Sequence, residues 1–261
     1  MNAGLFSRTI AVVVALLLAA PTIVIAATSF TSGVIITFPP KGFSMRWYEE
    51  IFGDRAWRDA FVTSFTTGIL AAVIAMVIGT LLAFMAARGR LVPRSLVATL
   101  AMTPMIVPLV VAGIGFYMAY VHTSLYNHIT SLALAHAMLG VPFCFLNVLA
   151  ALTAVDPRVE EAASICGAGK LTVIATVTVP LVLPSAVAGG LFAFVTSWDE
   201  VVVATLLATP TLRTLPILFL SQLREGLEPS TSAAATVITL LTIVLLVIAG
   251  LLSRRQRGRS T

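Results

Sequence analysis

The sequence predicts an all-α membrane protein with six transmembrane helices and a helical insert between two of them. Of its 261 residues, 59% are hydrophobic and only 10% are charged, whereas ordinary soluble domains carry about 25% charged residues. The mean hydropathy is +1.03. Apolar runs recur at the length of roughly 20 residues that a helix needs to cross a bilayer. Backbone polar groups in lipid must be satisfied within the segment, so these runs are predicted to be helices rather than open sheets.

Six apolar spans can be read from the hydropathy of the chain. They cover residues 10–30, 61–87, 96–121, 129–152, 181–208 and 233–252. The first span has features of a signal peptide, because Arg8 precedes it and the small residues Ala26 and Ala27 lie near its end. The length of this run and the membrane-bound remainder of the chain favour an uncleaved first helix.

The loop after the first span, residues 31–60, contains a second kind of pattern. Trp47, Tyr48, Ile51 and Phe52 recur at helical spacing beside charged residues. The pattern predicts an amphipathic helix at the membrane interface, with its aromatic rings at the level of the headgroups. A docking surface for a soluble partner is an equally good interpretation of the same residues.

The third span contains Pro104 and Pro108, and each proline removes one helical hydrogen bond. We therefore expect this span to bend. Gly113 and Gly115 follow, and they allow either further bending or the close approach of another helix. Such bends line pathways in some membrane proteins and serve ordinary packing in others. The sequence favours packing.

A polar segment, residues 153–180, separates the fourth and fifth spans. Asp156 fits the N-cap position and Pro157 the first position of a helix, and two glutamates follow near its positive end. Ala163 and Gly167 are four residues apart, which is the spacing of one helical face, where a partner could approach the backbone closely. The segment is therefore predicted to be a docking helix for a molecule outside the membrane.

The lysine and arginine residues predict which loops face the cytoplasm. With the N-terminus inside, ten basic residues fall on the inner side: Arg8, Arg88, Arg90, Arg94, Arg158, Lys170, Arg254, Arg255, Arg257 and Arg259. Six fall on the outer side: Lys41, Arg46, Arg55, Arg58, Arg213 and Arg224. The positive-inside rule therefore places both termini and the docking segment in the cytoplasm. The net charge of +5 fits the anionic cytoplasmic leaflet better than nucleic acid.

The docking segment carries a spaced motif that resembles a known family. In order, the motif consists of Glu161-Ala162-Ala163, Gly167, Val177, Val179 and Pro180. This pattern is similar to the EAA loop of ATP-binding cassette importer permeases, which has Ile and Leu where this chain has the two valines. Segments 43–48, 104–108, 197–203 and 214–216 agree with the same family, and the last two resemble its spermidine/putrescine branch.

The resemblance implies that residues 1–261 form a single transmembrane permease domain of a type I importer. A second homologous permease subunit would share the pathway, and a periplasmic binding protein would deliver the solute. Cytoplasmic ATPase subunits would use ATP and Mg²⁺, so this chain is expected to hold no cofactor. The resemblance also implies which residues couple to the ATPase: Glu161, Ala162, Ala163, Gly167 and Pro180.

One segment resembles a nucleotide-binding motif, and the histidines and cysteines belong to residue types that bind metals. The sequence rejects a nucleotide site and a metal site for different reasons. Residues 167–171 resemble the end of a phosphate-binding loop, but Ser164 stands at the first glycine position and Leu171 at the hydroxyl position. The histidines and cysteines lack ligand spacing, so no metal site is predicted. Cys144 and Cys166 are interpreted as small apolar packing residues.

Asp199 and Glu200 are two acids deep within a proposed span. A carboxylate there is costly unless it meets water, a partner or a proton. We assign Asp199, Glu200 and the neighbouring Trp198 to the translocation pathway, where an acid would face a cationic solute. The pair could instead cap a break in the fifth helix or bond a neighbouring subunit. Adjacent helical side chains point about 100° apart, so both acids are not expected to line one pore.

The residues and the resemblance together predict a non-enzymatic permease subunit in a bacterial inner membrane. It would move a small cationic amine, such as a polyamine, by ATPase-coupled alternating access. One alternative is an ion-coupled secondary transporter in which one of the two acids titrates, although no internal repeat of the kind common in such carriers is evident. Another is an importer of the same class for an opine, a phosphonate or another small solute. An intramembrane hydrolase is disfavoured, because neither HExxH nor GxSxG occurs in the chain.

Overall fold

The computed structural model describes residues 3–89, 91–226 and 228–257, and within these ranges it is built of helices without a β-strand. The predicted all-α class is confirmed. Arg90 and Arg259, two of the predicted inner basic residues, lie outside the described ranges. In chain order the helices are α1 (Ala3–Thr28), α2 (Arg46–Gly53), α3 (Arg55–Arg88), α4 (Arg94–Ile106), α5 (Leu109–Tyr120), α6 (Ile129–Ala154), α7 (Pro157–Ile165), α8 (Lys170–Val173), a π-helical turn (Ile174–Thr178), α9 (Val179–Trp198), α10 (Val202–Leu207), α11 (Leu215–Glu225) and α12 (Pro229–Arg257).

Five helical segments of the described chain are long and apolar enough to cross a membrane, and α4 with α5 supplies a sixth as a bent pair. The angle between α4 and α5 is 97°. The break falls at Val107 and Pro108, because a proline keeps the preceding residue out of the helical region. Val107 is accordingly extended, with φ −72° and ψ 127°, whereas Pro104 is accommodated inside α4. The prediction of six spans is confirmed, with the third span broken.

The fifth span differs from its predicted bounds, 181–208, at both ends. It begins at Lys170 and runs to Trp198, because α8, the π-helical turn and α9 form one helical segment. It ends early because the chain leaves the helix at residues 199–201, before α10. The last part of the predicted docking segment is therefore the first part of the helix that forms this span.

The described residues form two compact units. The first comprises those within 1–59 and 218–243, and the second those within 60–217 and 244–257. In the first unit, the hydroxyl of Thr28 in α1 donates a hydrogen bond to the hydroxyl of Ser232 in α12, at 3.4 Å.

The amphipathic helix predicted in the loop 31–60 is α2, and it belongs to the first unit. The indole N–H of Trp47 donates to the carbonyl of Thr31 at 2.8 Å, and Trp47 is buried. Tyr48 is half-buried, whereas Phe52 is exposed. The main aromatic anchor of this helix thus packs within its own unit.

α6 is the central helix of the second unit, and more than half of its residues are buried, whereas Leu134, Met138 and Leu146 remain exposed. It packs along α9, and two glycines permit the close approach. A Cβ at Gly140 would lie 2.5 Å from the Cβ of Ala193, and one at Gly189 would lie 2.6 Å from the Cα of Cys144. Cys144 is buried in this contact as predicted. Cys166 is exposed after the end of α7, so the packing interpretation is wrong for that residue.

Candidate coupling segment and translocation site

α7 lies where the sequence predicts a docking helix, and its first residues have the expected chemistry. The side chain of Asp156 accepts a hydrogen bond from the backbone N–H of Arg158 at 2.9 Å, and Pro157 occupies the first helical turn. None of the nine residues of α7, all described by the structure, is buried. The helix therefore lies on the surface of the second unit.

Gly167 follows the end of α7 and does not belong to the helix. Its φ of +91° lies in the left-handed region that favours glycine. Its N–H donates to the carbonyl of Ser164 at 3.0 Å, and the N–H of Ala168 donates to the carbonyl of Ala163 at 3.2 Å. This is the Schellman arrangement of a helix C-terminus. The inference that Ala163 and Gly167 share one helical face is wrong, because α7 ends at Ile165.

The structure leaves the predicted coupling residues accessible. Glu161, Ala162, Gly167 and Pro180 are exposed, and Ala163 is half-buried. Among the described residues, the Glu161 carboxylate has no hydrogen-bond or ion-pair partner, and a Cβ built at Gly167 would meet no atom within 4 Å. These residues are therefore available to another molecule.

Glu160, the residue before the motif, is held by contacts that the sequence does not predict. Arg88 ends α3, and its Nε lies 3.2 Å from Oε2 of Glu160, while its Nη2 lies 3.3 Å from Oε1. The same Nη2 donates to the carbonyl of Leu152 in α6 at 3.2 Å. The hydroxyl of Thr178, in the π-helical turn, donates to Oε1 of Glu160 at 3.1 Å. One carboxylate thus connects α7 to α3 and to the helix of the fifth span.

Little in the sequence points to the contact between Arg88 and Glu160. The two residues are 72 positions apart, and no local periodicity relates them. The one available signal is that a basic residue ends the second span on the same predicted side of the membrane as an acidic segment.

Glu200 caps the short helix that follows the break in the fifth span. Its Oε1 accepts from the backbone N–H of Val203 at 2.9 Å, and its Oε2 accepts from that of Ala204 at 2.8 Å. Nε2 of His136, in α6, lies 3.5 Å from Oε2, and Nδ1 of His136 lies 2.8 Å from Oγ of Ser197. Glu200 and His136 are both buried. Among the interpretations that the sequence leaves open, the capping of a helix break describes how Glu200 is bonded.

Asp199 lies in the same break and has a different environment. It is exposed, and its carboxylate has no hydrogen-bond or ion-pair partner among the described residues. It lines a cavity of about 720 Å³ beside the break between α4 and α5. The lining residues are mostly apolar and none of them is basic: Pro104, Met105, Val107, Leu109, Leu139, Phe143, Val195, Thr196, Asp199, Glu200, Val201 and Val202.

Trp198, the third residue assigned to the pathway, does not line this cavity. Its ring stacks on that of Phe194, with centroids 5.9 Å apart, and meets the ring of Phe61 edge-on at the same distance. Trp198 is buried. The structure therefore brings Asp199 and Glu200 to the wall of one cavity. The expectation that they would not both line one pore is wrong, because the chain leaves the helix at these residues. Trp198 is not in this wall, and its part in transport stays a prediction.

The described residues form six apolar spans, counting the bent pair as one, with an exposed helix between the fourth and fifth spans. Together with a cavity beside two broken spans, these features are those of a membrane permease. Residues 75–258 match the family described as "Binding-protein-dependent transport system inner membrane component". The chain belongs to this family. The resemblance to importer permeases that the motif indicates is thereby confirmed.

Two relatives are named for polyamine transport. The spermidine/putrescine transport system permease protein PotC of Haemophilus influenzae is 29% identical over 216 residues, which cover 83% of this chain and 84% of the relative. The putrescine transport system permease protein PotI of Escherichia coli is 30% identical over 226 residues, which cover 84% of this chain and 80% of the relative.

Solved structures show the same fold at lower sequence identity. A bacterial ABC transporter involved in the import of the acidic polysaccharide alginate superposes with a TM-score of 0.76 at 16% identity, covering 96% of this chain and 95% of that chain. The MetNI methionine ABC transporter, in an inward-facing conformation, superposes with a TM-score of 0.59 at 17% identity, covering 81% and 97%.

Proposed function

We propose that this permease carries a small aliphatic amine, of the polyamine class, into the cytoplasm by ATPase-coupled alternating access. The proposal rests above all on Asp199, a carboxylate without a partner among the described residues, on the wall of a largely apolar cavity. A carboxylate within a membrane is costly without a counter-charge, and an ammonium group would supply one. The relatives named for spermidine and putrescine transport support the same solute class.

Asp199 is better suited than Glu200 to meet the solute. Both oxygens of Glu200 already accept backbone N–H groups. Leu139 and Phe143 line the same cavity and offer apolar surface to the methylene groups between two amines. The face of an aromatic ring also attracts an ammonium group. The attraction need only be weak, because tight binding within the pathway would retain the solute.

We further propose that the exposed surface around α7 binds a cytoplasmic ATPase. The residues that would make this contact are Glu161, Ala162, Ala163, Gly167 and Pro180. ATP and Mg²⁺ would be used by that separate subunit, and this chain would hold neither cofactor nor metal. A second homologous permease would complete the pathway, and a periplasmic binding protein would supply the solute with high affinity. Closure of the ATPase subunits would then switch the permease between its outward-facing and inward-facing states.

The proposal requires both termini and α7 on the cytoplasmic side. Ten of the sixteen basic residues support this orientation. Reporter fusions after Arg94 and after Arg257 should read cytoplasmic, and a fusion at Lys41 should read periplasmic. A periplasmic C-terminus would contradict the orientation.

Uptake by the reconstituted complex tests the solute class. We expect labelled putrescine or spermidine to enter proteoliposomes that contain the permease pair, the ATPase and the binding protein when ATP is supplied. Asp199→Asn should lower the uptake about tenfold, or ~1.4 kcal/mol, because the counter-charge is lost. Asp59→Asn is the matched control, since it neutralises an acid that is largely exposed and lies outside the cavity.

Three results would change the proposal in different ways. Undiminished polyamine uptake by Asp199→Asn would reject the role of its charge. ATP-driven uptake of an opine or a phosphonate in place of polyamines would keep the importer class and reject the amine. Uptake driven by an ion gradient without ATP would favour a secondary transporter.

A further inference from the structure

We propose that the contacts of Glu160 with Arg88 and Thr178, here called the Glu160 junction, transmit movement of α7 to the transmembrane helices. This inference rests on the proposed function, because it concerns how ATPase closure would reach the pathway. It assigns Glu160 a task different from that of Glu161. Glu161 would contact the ATPase, and Glu160 would connect α7 to the rest of the permease.

The first support is that α7 has no buried apolar residue that would anchor it to the core. None of its nine residues, all described, is buried. A surface helix usually stays in place through an apolar face that packs on the core. Within the described chain, Glu160 is the one side chain of α7 that hydrogen-bonds another helix. Glu160 is therefore the side chain that fixes α7 to α3 and to the helix of the fifth span.

The second support is the set of helices that meet at the junction. Arg88 is the last residue of α3 and also donates to the carbonyl of Leu152, near the end of α6. Thr178 is the last residue of the π-helical turn and directly precedes α9. A planar guanidinium that binds one carboxylate through two nitrogens fixes direction as well as distance. A displacement of α7 would therefore pull on α3 and on the fifth span together.

The third support is the unusual partner of Thr178. Other helical threonines, such as Thr176 and Thr196, donate to the carbonyl four residues before them in their own helix. Thr178 is buried and donates instead to Glu160. It does so from a π-helical turn, a rare element that is frequent at functional sites. The hydroxyl of Thr178 therefore connects two helices, whereas the hydroxyls of Thr176 and Thr196 bond within their own helix.

A loss of the junction should uncouple ATP hydrolysis from transport without detaching the ATPase. Glu160→Gln keeps the size of the side chain but removes the ion pair with Arg88. Since Glu161 and Gly167 are unchanged, the ATPase should remain bound and hydrolyse ATP. The movement passed to the spans should be weaker, so we expect the number of solute molecules taken up per ATP to fall several-fold.

The test measures ATP hydrolysis and solute uptake in the same proteoliposomes of the full complex. Glu160→Gln and Arg88→Gln should both lower the uptake per ATP. Arg94→Gln is the matched control, because it removes an exposed arginine from the start of the neighbouring α4. The double variant Arg88→Glu with Glu160→Arg should recover part of the ratio by restoring an ion pair. A merely structural role would lower the amount of complex or both rates together, and would leave the ratio unchanged.

The outcomes separate this inference from the function on which it rests. No ATP-driven uptake by the unaltered complex would reject the proposed function and the junction with it. Uptake by the unaltered complex, with an unchanged ratio in Glu160→Gln and Arg88→Gln, would overturn the junction alone. If either variant fails to accumulate in the membrane, Thr178→Val decides, because it removes a single hydrogen bond. It should lower the ratio in the same direction, and an unchanged ratio would also overturn the junction.

Discussion

Two pairs of adjacent acids, Glu160-Glu161 and Asp199-Glu200, have the same arrangement in regions that differ in every other respect. The first pair lies on a surface helix with no buried residue, and the second lies at a break in a membrane span. In each pair one carboxylate is bonded within the protein and the other is accessible. Glu160 and Glu200 are the bonded members. In α7 adjacent side chains point about 100° apart, so fixing Glu160 inward leaves Glu161 facing outward. Asp199 and Glu200 are not helical and both reach the cavity wall, but only Glu200 is bonded.

The two pairs differ in what holds the bonded acid. Glu160 is held by Arg88, and the exposed fractions of the two side chains are 21% and 32%, so water can replace part of the interaction. Glu200 is buried and accepts two backbone N–H groups that would otherwise lack an acceptor. We therefore expect loss of Glu160 to change coupled movement, and loss of Glu200 to change the stability of the fold.

The largest effect is expected from the accessible acid of the first pair. Glu161→Lys reverses the charge on the exposed side of α7, so it should reduce co-purification of the ATPase by at least about tenfold. Gly167→Leu should have a similar effect, because a φ of +91° strains any residue that carries a Cβ. Affinity purification of the tagged permease with its ATPase measures both. Glu160→Gln should retain the ATPase, and an equal loss there would show that the two glutamates do not have separate tasks.

In the second pair, the stability of the protein should depend on the bonded acid, Glu200, and not on the accessible acid, Asp199. Glu200→Ala leaves the N–H groups of Val203 and Ala204 without their acceptor, which should cost about 2 kcal/mol. The denaturation temperature of the detergent-solubilised protein should fall accordingly. Asp199→Ala removes a side chain without a partner in the described structure and should stay within about 0.5 kcal/mol of the unaltered protein. Similar losses in both variants would mean that both acids support the fold.

The parts of this fold that the sequence predicts are those fixed by local chemistry or by the bilayer. The six spans follow from length and apolar composition, because lipid leaves the backbone few alternatives to a helix. The start of α7 follows from Asp156 and Pro157, whose roles at an N-terminus depend on neighbouring residues alone. The break at Pro108 follows from the missing N–H and the restricted residue before it.

The parts that the sequence misses depend on contacts between distant helices or on the exact end of a helix. Arg88 and Glu160 meet only because α3 ends beside α7. The choice between Asp199 and Glu200 depends on His136 and on where α9 ends. Gly167 shows a different kind of error, since its spacing suggests a helical face while its backbone ends the helix. Hydrophobic periodicity contains no signal for any of these three outcomes.

The smallest loss expected from a bonded residue concerns the histidine beside the second pair. Ser197→Ala removes the hydrogen bond to Nδ1 of His136, whose Nε2 faces Glu200. We expect a loss of about 0.5 to 1 kcal/mol of stability. Combined with Glu200→Ala, the loss should be smaller than the sum of the two single losses, because residues in one network do not act independently.

Ser131→Ala is the matched control for this double-variant comparison. Ser131 is also a buried serine on the second unit, but its hydroxyl donates to the carbonyl of His128 and not to the network around Glu200. Its effect should therefore add to that of Glu200→Ala. If the effect of Ser197→Ala also adds in full, His136 does not connect Ser197 to Glu200. In that case Glu200 is held by the two backbone amides alone, and the contrast with the side-chain contacts of Glu160 becomes sharper.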